Sequence, residues 1–354
     1  MQRYHNLDFL RAFAMLLGLA VHAPIIYYYP DVALEIGIEN IPEPELWVWL
    51  MLGFITSWRM PLFFLIAGFF SILVIRKRGS LSYLGDRAVR IGITLLLFAF
   101  LYDYTDGRLD FTLGHLWFLY YLLFFCMIFV FLYHFPHFNR LYSKPLSSIL
   151  LLVIALCLIL TTPLAGLLNN NWDTYTFLSP PERYGDIKSG NFVYYFAYFL
   201  GGTVLYTNQK IFTLIARNKP LLSIALFAIV VMVLQLFFET DFRLYLLVKG
   251  MGSLFWCLLF LGLATRMILS RNAILDWLVE LSYPIYLFHL LAIIVFSGEL
   301  FKAGFSQVSV ILLSIAFGFV SSVVMYYLFV KFTPINWLIN GYHKSYLKFN
   351  LRKV

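Results

Sequence analysis

The stretch LWVWLMLGFITSWRMPLFFLIAGFFSILVI, residues 46–75, decides the fold. It runs for 30 residues with one charged side chain, Arg59. As a helix it would measure about 45 Å, against a hydrocarbon core of about 30 Å. It therefore spans a membrane with length to spare, and must tilt, emerge or bend, with Pro61 as the place to bend. The rest of the chain agrees: of 354 residues, 62% are hydrophobic and 12% charged, half the charged share of about 25% usual in a soluble domain. Water could not solvate a fold with so much apolar surface. Lipid accepts only structures that satisfy their own backbone hydrogen bonds, helices or closed barrels. The apolar runs are long and continuous, not short and alternating, so helices are expected.

Ten such runs are expected to span, near 7–29, 46–75, 88–103, 114–134, 146–168, 191–207, 220–238, 246–268, 278–297 and 308–330. No repeat relates the two halves. The expectation is an all-α, polytopic helical bundle forming one membrane domain over 1–354, with a basic tail at 331–354. The first run lacks a small-residue cleavage site and reads as a retained helix. With both termini cytoplasmic, 18 of the 26 basic residues fall on the cytoplasmic side, among them Arg76-Lys77-Arg78, Arg87, Arg90 and Arg266, as the positive-inside rule requires. The first outer loop carries Asp31, Glu35, Glu39, Glu43 and Glu45 without a Lys or Arg. A net charge of +8 is thus a matter of topology, and no nucleic acid is expected as partner. Cys126, Cys157 and Cys257 lie inside apolar runs, with neither metal-ligand spacing nor a disulfide framework.

Ionisable side chains at membrane depth are costly, and each is a candidate for function. Asp8, Arg11 and His22 share one face of the first helix, and His22 lies about 16 Å beyond Arg11 along the axis. Asp8 near the helix end is as readily a mouth residue paired with Arg11. Counting from the cytoplasmic ends, Arg59 and His22 reach similar depths of about 24 and 22 Å. His115, beside Trp117, opens the fourth run on the outer side, where an interfacial His next to a belt Trp is ordinary. His289 lies mid-run, where a structural hydrogen bond to a tyrosine is an equal alternative to function. Lys249 has the snorkelling reading. Arg87 and Arg90 read as positive-inside anchors or as a phosphate-binding pair.

These residues carry a resemblance. Arg11 and His22, ten residues between them, resemble the Arg-x10-His pattern of membrane acyltransferase family 3. Phe63-Phe64-Leu65-Ile66-Ala67-Gly68 resembles its Phe-Phe-x-x-Ser-Gly element, with Ala67 in place of Ser. Arg87-x-x-Arg90 resembles its Arg-x-x-Arg motif, and Ser282-Tyr283 through His289 its Ser-Tyr-x-x-Tyr-Leu-x-His element, with Leu290 where many relatives have Pro. Arg59-Met60, Arg87 to Ile93 and His115 to Leu119 are most similar to the glucan-succinylating branch of that family. The resemblance implies a multi-pass protein of the bacterial inner membrane. It implies succinyl-CoA as cytoplasmic co-substrate, no bound cofactor or metal, and a hydroxyl of a periplasmic glucan as acceptor.

Acyl transfer needs a base for the hydroxyl and a cation or donor near the thioester oxygen. His22 is the candidate base. Arg59 would hold a succinyl carboxylate or the developing charge. Arg11, Arg87 and Arg90 would guide the CoA phosphates. Asp8, His115, Trp117 and His289 complete the candidate substrate-binding set. Direct attack and an acyl-histidine intermediate both fit. Two other readings stay open: a secondary transporter, and an acyltransferase acting on a lipid-linked sugar or another surface polymer. The sequence leaves oligomeric state undetermined.

Overall fold

In a computed structural model the described residues are 4–105, 112–142, 150–160, 180–237, 242–270 and 272–341. They are almost entirely helical, and the β-pairing among them is a single isolated bridge between Thr112 and Arg183. In chain order the helices are α1 (His5–His22), α2 (Ile25–Tyr28), α3 (Pro30–Glu35), α4 (Leu46–Arg78), α5 (Ser80–Arg87), a π-helical turn (Ala88–Ile93) and α6 (Thr94–Thr105). A 3-10 turn (Gly114–Leu116) leads into α7 (Trp117–His134), followed by α8 (Pro136–Leu141) and α9 (Leu150–Leu160). Then come α10 (Ser189–Thr207), α11 (Lys210–Ile215), α12 (Asn218–Phe237), α13 (Phe242–Met267), α14 (Ala273–Lys302) and α15 (Gln307–Met325). A second π-helical turn (Tyr326–Val330) and α16 (Ile335–Ile339) follow.

Among the described residues, six helical segments are long and apolar enough to cross a membrane: Leu46–Arg78, Gly114–His134, Asn218–Gln235, Leu247–Met267, Ala273–Lys302 and Gln307–Val330. Each matches one of the ten expected runs. Of the other four, 7–29, 88–103 and 191–207 are helical but shorter or more polar. The run at 146–168 is described only over 150–160. Arg3, Arg108, Lys144, Arg271 and the tail beyond 341 lie outside the described residues.

Two expectations about helix ends change. The run 7–29 is not one helix, because α1 stops at His22. Pro24 has no N–H to give the Ala20 carbonyl and disfavours helical backbone at Ala23, so the chain breaks there. The Tyr28 hydroxyl then donates to the Val21 carbonyl, 2.8 Å away. Conversely, α4 runs unbroken through Pro61 for 33 residues, about 50 Å. The Ser57 carbonyl that Pro61 leaves without its helical donor accepts from the Ser253 hydroxyl of α13 instead. One turn on, the Cys257 thiol donates weakly to the Trp58 carbonyl at 3.7 Å, and the Trp58 ring lies 4.1 Å from Phe260. A partner helix thus re-satisfies the backbone that proline opens.

The chain divides into two compact units, one of residues 1–10 and 57–269, the other of 11–56 and 270–354. In the first, α4 and α10 meet backbone to backbone. A Cβ at Gly68 would overlap the Phe199 carbonyl, and one at Gly202 the Leu65 carbonyl. Only glycine allows so close a crossing, which gives the Gly of the Phe-Phe-x-x-Ala-Gly element its physical reason. In the second, α14 and α15 pack side by side, with Gly318 of α15 against Ile293 of α14 and Leu19 of α1. The acidic side chains of residues 31–45 are exposed, while Ile36 of the same segment packs on Gly298.

Candidate functional site

The second unit holds Arg11, His22 and His289. His22 ends α1, half-buried, and its ring centroid lies 5.3 Å from that of His289 on α14, the planes tilted by 50°. His289 is fully buried. Its Nδ1 lies 2.9 Å from the Ile285 carbonyl one turn earlier. A carbonyl oxygen only accepts, so Nδ1 carries the proton in that bond and Nε2 is the basic nitrogen of the neutral ring. Tyr286 lies 6.2 Å from the same ring. The sequence suggests a structural hydrogen bond from His289 to a tyrosine; the bond seen here is to backbone, and it fixes the ring beside His22. Arg11 is half-buried on α1, eleven residues before His22 on the continuous helix.

The first unit holds Asp8, Arg59, Arg87, Arg90, His115 and Trp117. Asp8 is half-buried one turn before Arg11. Arg59, half-buried, follows the Ser57–Trp58 turn that α13 pins, and its guanidinium is within electrostatic reach of the Tyr195 hydroxyl on α10. Tyr195 belongs to an aromatic group with Phe64 at 5.1 Å and Trp117 at 5.5 Å. Arg59 and Trp117 thus flank the same tyrosine. His115 is not an exposed interfacial side chain: it is 8% exposed and meets the Tyr102 ring edge-on at 5.1 Å. The Leu113 amide bonds the Glu182 carbonyl at 2.8 Å, and the Thr112 hydroxyl donates to the buried Asp103 at 2.9 Å. These bonds fix the turn that carries His115.

Arg87 closes α5 and Arg90 lies in the π-helical turn that follows, a conformation often found at functional positions. Both guanidinium groups approach one carboxylate, Asp86, at 3.5 and 3.7 Å, all three side chains partly exposed. The Arg87 guanidinium also lies 5.2 Å from the centre of the Tyr83 ring. The pairing with Asp86 is weak, as partly exposed ion pairs are. Lys249 lies 5.6 Å from the Tyr245 ring one turn earlier on its own helix.

The sequence reading missed three contributors. Ser253, Asp103 and Tyr83 are polar residues with no unusual spacing, and their roles come from helices remote in sequence. The Arg11-to-His22 spacing did locate His22, but its neighbour His289 could be paired with it only in three dimensions.

Residues 4–330 match the family model described as an acyltransferase domain. Among curated proteins, the chain is similar to glucans biosynthesis protein C of Escherichia coli O1:K1 and of Escherichia coli strain SE11. It is 37% identical to each over 95 residues, 27% of this chain and 23% of the relative. The matched segment thus spans less than a quarter of those relatives' length. No solved structure matches.

Proposed function

The chain belongs to the acyltransferase domain family, and from that premise we propose that it is a membrane O-acyltransferase acting on a glycan. The donor is a cytoplasmic acyl-CoA, of the succinyl type. The acceptor is a hydroxyl of an extracytoplasmic glucan, in keeping with the name of the relatives. The observation that carries the reading is the His22–His289 pair, two imidazoles 5.3 Å apart with one held rigidly in the protein.

In this reading His22 takes the proton of the acceptor hydroxyl as its oxygen attacks the thioester carbon. The tetrahedral oxyanion collapses, the carbon–sulfur bond breaks, and the CoA thiolate recovers the proton as the thiol. His289, its Nδ1 proton committed to the Ile285 carbonyl, packs its ring against His22 and limits where that ring can sit. Arg59 meets negative charge, either the oxyanion or the free carboxylate of a succinyl chain. Arg87 and Arg90 hold donor phosphates at the cytoplasmic face, and Arg11 guides the same chain. His115 and Trp117 serve the acceptor at the outer face.

The test is transfer of label from succinyl-CoA to periplasmic glucan in membranes carrying the protein, with the product weighed by mass spectrometry. A succinyl increment that disappears with His22→Ala at equal protein abundance is expected. Full acylation by that variant sinks the scheme. Solute uptake without any covalent labelling would point to a transporter.

A further inference from the structure

The segment that carries Arg87 and Arg90 is short, begins at Gly79 with φ of +84°, and has no cap from its own side chains. Something else must fix it. Tyr83, in the middle of α5 and 1% exposed, turns its hydroxyl into the protein, where it shares a 2.6 Å hydrogen bond with Ser71 Oγ of α4 and donates to Cys126 Sγ of α7 at 2.9 Å. Both partners are buried. Burial, reinforced by the Cys126 thiol, pushes the hydroxyl well above the usual phenol range, so it keeps its proton at any working pH. The other side of Tyr83 serves the arginines: its ring supports the Arg87 guanidinium, and Arg87 and Arg90 share Asp86.

We infer that Tyr83 is the positioning residue of the donor-phosphate fork. Its hydroxyl locks α5 to α4 and α7 through Ser71 and Cys126, and its ring sets the Arg87 guanidinium beside Arg90. The inference rests on the assignment of Arg87 and Arg90 to donor phosphates made above. It adds that their spacing is held from beneath, by a side chain that never touches the donor. Nothing in the linear spacing of Ser71, Tyr83 and Cys126 announces this, because they come from three different helices.

The experiment compares two donors on the same membranes, succinyl-CoA and a succinyl thioester of N-acetylcysteamine, which has no phosphate. Tyr83→Phe removes the two hydrogen bonds and keeps the ring, and is expected to raise KM for succinyl-CoA about five-fold with kcat changed less than two-fold. Tyr83→Leu also removes the ring and is expected to raise KM about twenty-fold. With the truncated thioester, wild type and both variants should have the same KM. Ser71→Ala should raise KM for succinyl-CoA about as much as Tyr83→Phe, and the double variant no further. A fall in kcat with both donors and an unchanged KM would overturn the inference, since Tyr83 would then be a packing residue only. If wild type itself does not distinguish the two donors in KM, the phosphate assignment fails and the inference goes with it. Should Tyr83→Leu fail to accumulate, Tyr83→Phe and Ser71→Ala decide between these outcomes.

Discussion

Pro24 and Pro61 meet the chain in the same way and end differently. Each removes an amide from an apolar helix and leaves a carbonyl one turn back without its donor. At Pro24 the helix stops, at His22, and a local hydroxyl, Tyr28, bonds a terminal carbonyl. At Pro61 the helix continues for 17 more residues to Arg78, because Ser253 of another helix bonds the Ser57 carbonyl. The difference lies in the surroundings. Past Pro24 the chain stays buried through Tyr27 and then, from Tyr29 on, leaves toward an exposed acidic segment, so no long helix has to continue. Around Pro61, Ser57, Trp58 and Leu62 to Ile66 are buried, and there the donor comes from protein. A proline is therefore a stop or a passing place according to what can reach the carbonyl it frees. Here the stop leaves His22 at a helix end facing His289, and the passage keeps Arg59 on a helix held by α13.

Five substitutions test that contrast. The largest effect belongs to the product of the stop. His22→Ala should lower acyl transfer by a factor on the order of 100 or more, as loss of a general base does, read at equal abundance in membranes. Pro24→Ala removes the stop, and α1 should run on and pull residues 25–45 from their places on α14. Transfer should fall about ten-fold with His22 still present, and accessibility labelling across 25–45 should change. An unchanged labelling pattern would mean that Pro24 does not set the break.

Ser253→Ala attacks the passage and should cost about 1 kcal/mol, read as a lower midpoint of thermal unfolding in detergent. In the Pro61→Ala background the helix has its own donor again, so the same Ser253→Ala change should cost close to nothing. Equal costs in the two backgrounds would show that the Ser253 bond has nothing to do with Pro61. The smallest effect is expected from Tyr28→Phe, about 0.5 kcal/mol, because one neutral hydrogen bond at a helix end contributes little net stability.

Much of the molecule was legible in the sequence. The length and apolarity of 46–75 dictate a spanning helix whatever its neighbours are, since hydrocarbon leaves the backbone no alternative. The same holds for the other five long helices, and charge at membrane depth marked Arg11, His22 and Arg59. The four remaining runs were harder. In 191–207 the helix is lined with tyrosines and glycines that pack against protein, and hydropathy measures affinity for lipid, not for a neighbouring helix. The burial of His115 was illegible for a related reason: a histidine beside a tryptophan fits an interface by composition, while its burial depends on the loop from 180 onward that pins the preceding turn.

What the sequence determined by itself was set by local physics: which segments must be helices in lipid, where charge is expensive, and that Pro24 and Pro61 each break a hydrogen-bond ladder. What only the tertiary structure decided was how those costs are met. Ser253 carries α4 past Pro61, Gly68 and Gly202 let α4 and α10 cross against the Phe199 and Leu65 carbonyls, His289 faces His22, and Ser71 with Cys126 holds Tyr83 under the arginines. Each of these depends on a partner distant in the chain, and a residue's spacing along a helix fixes its face without naming what that face will meet.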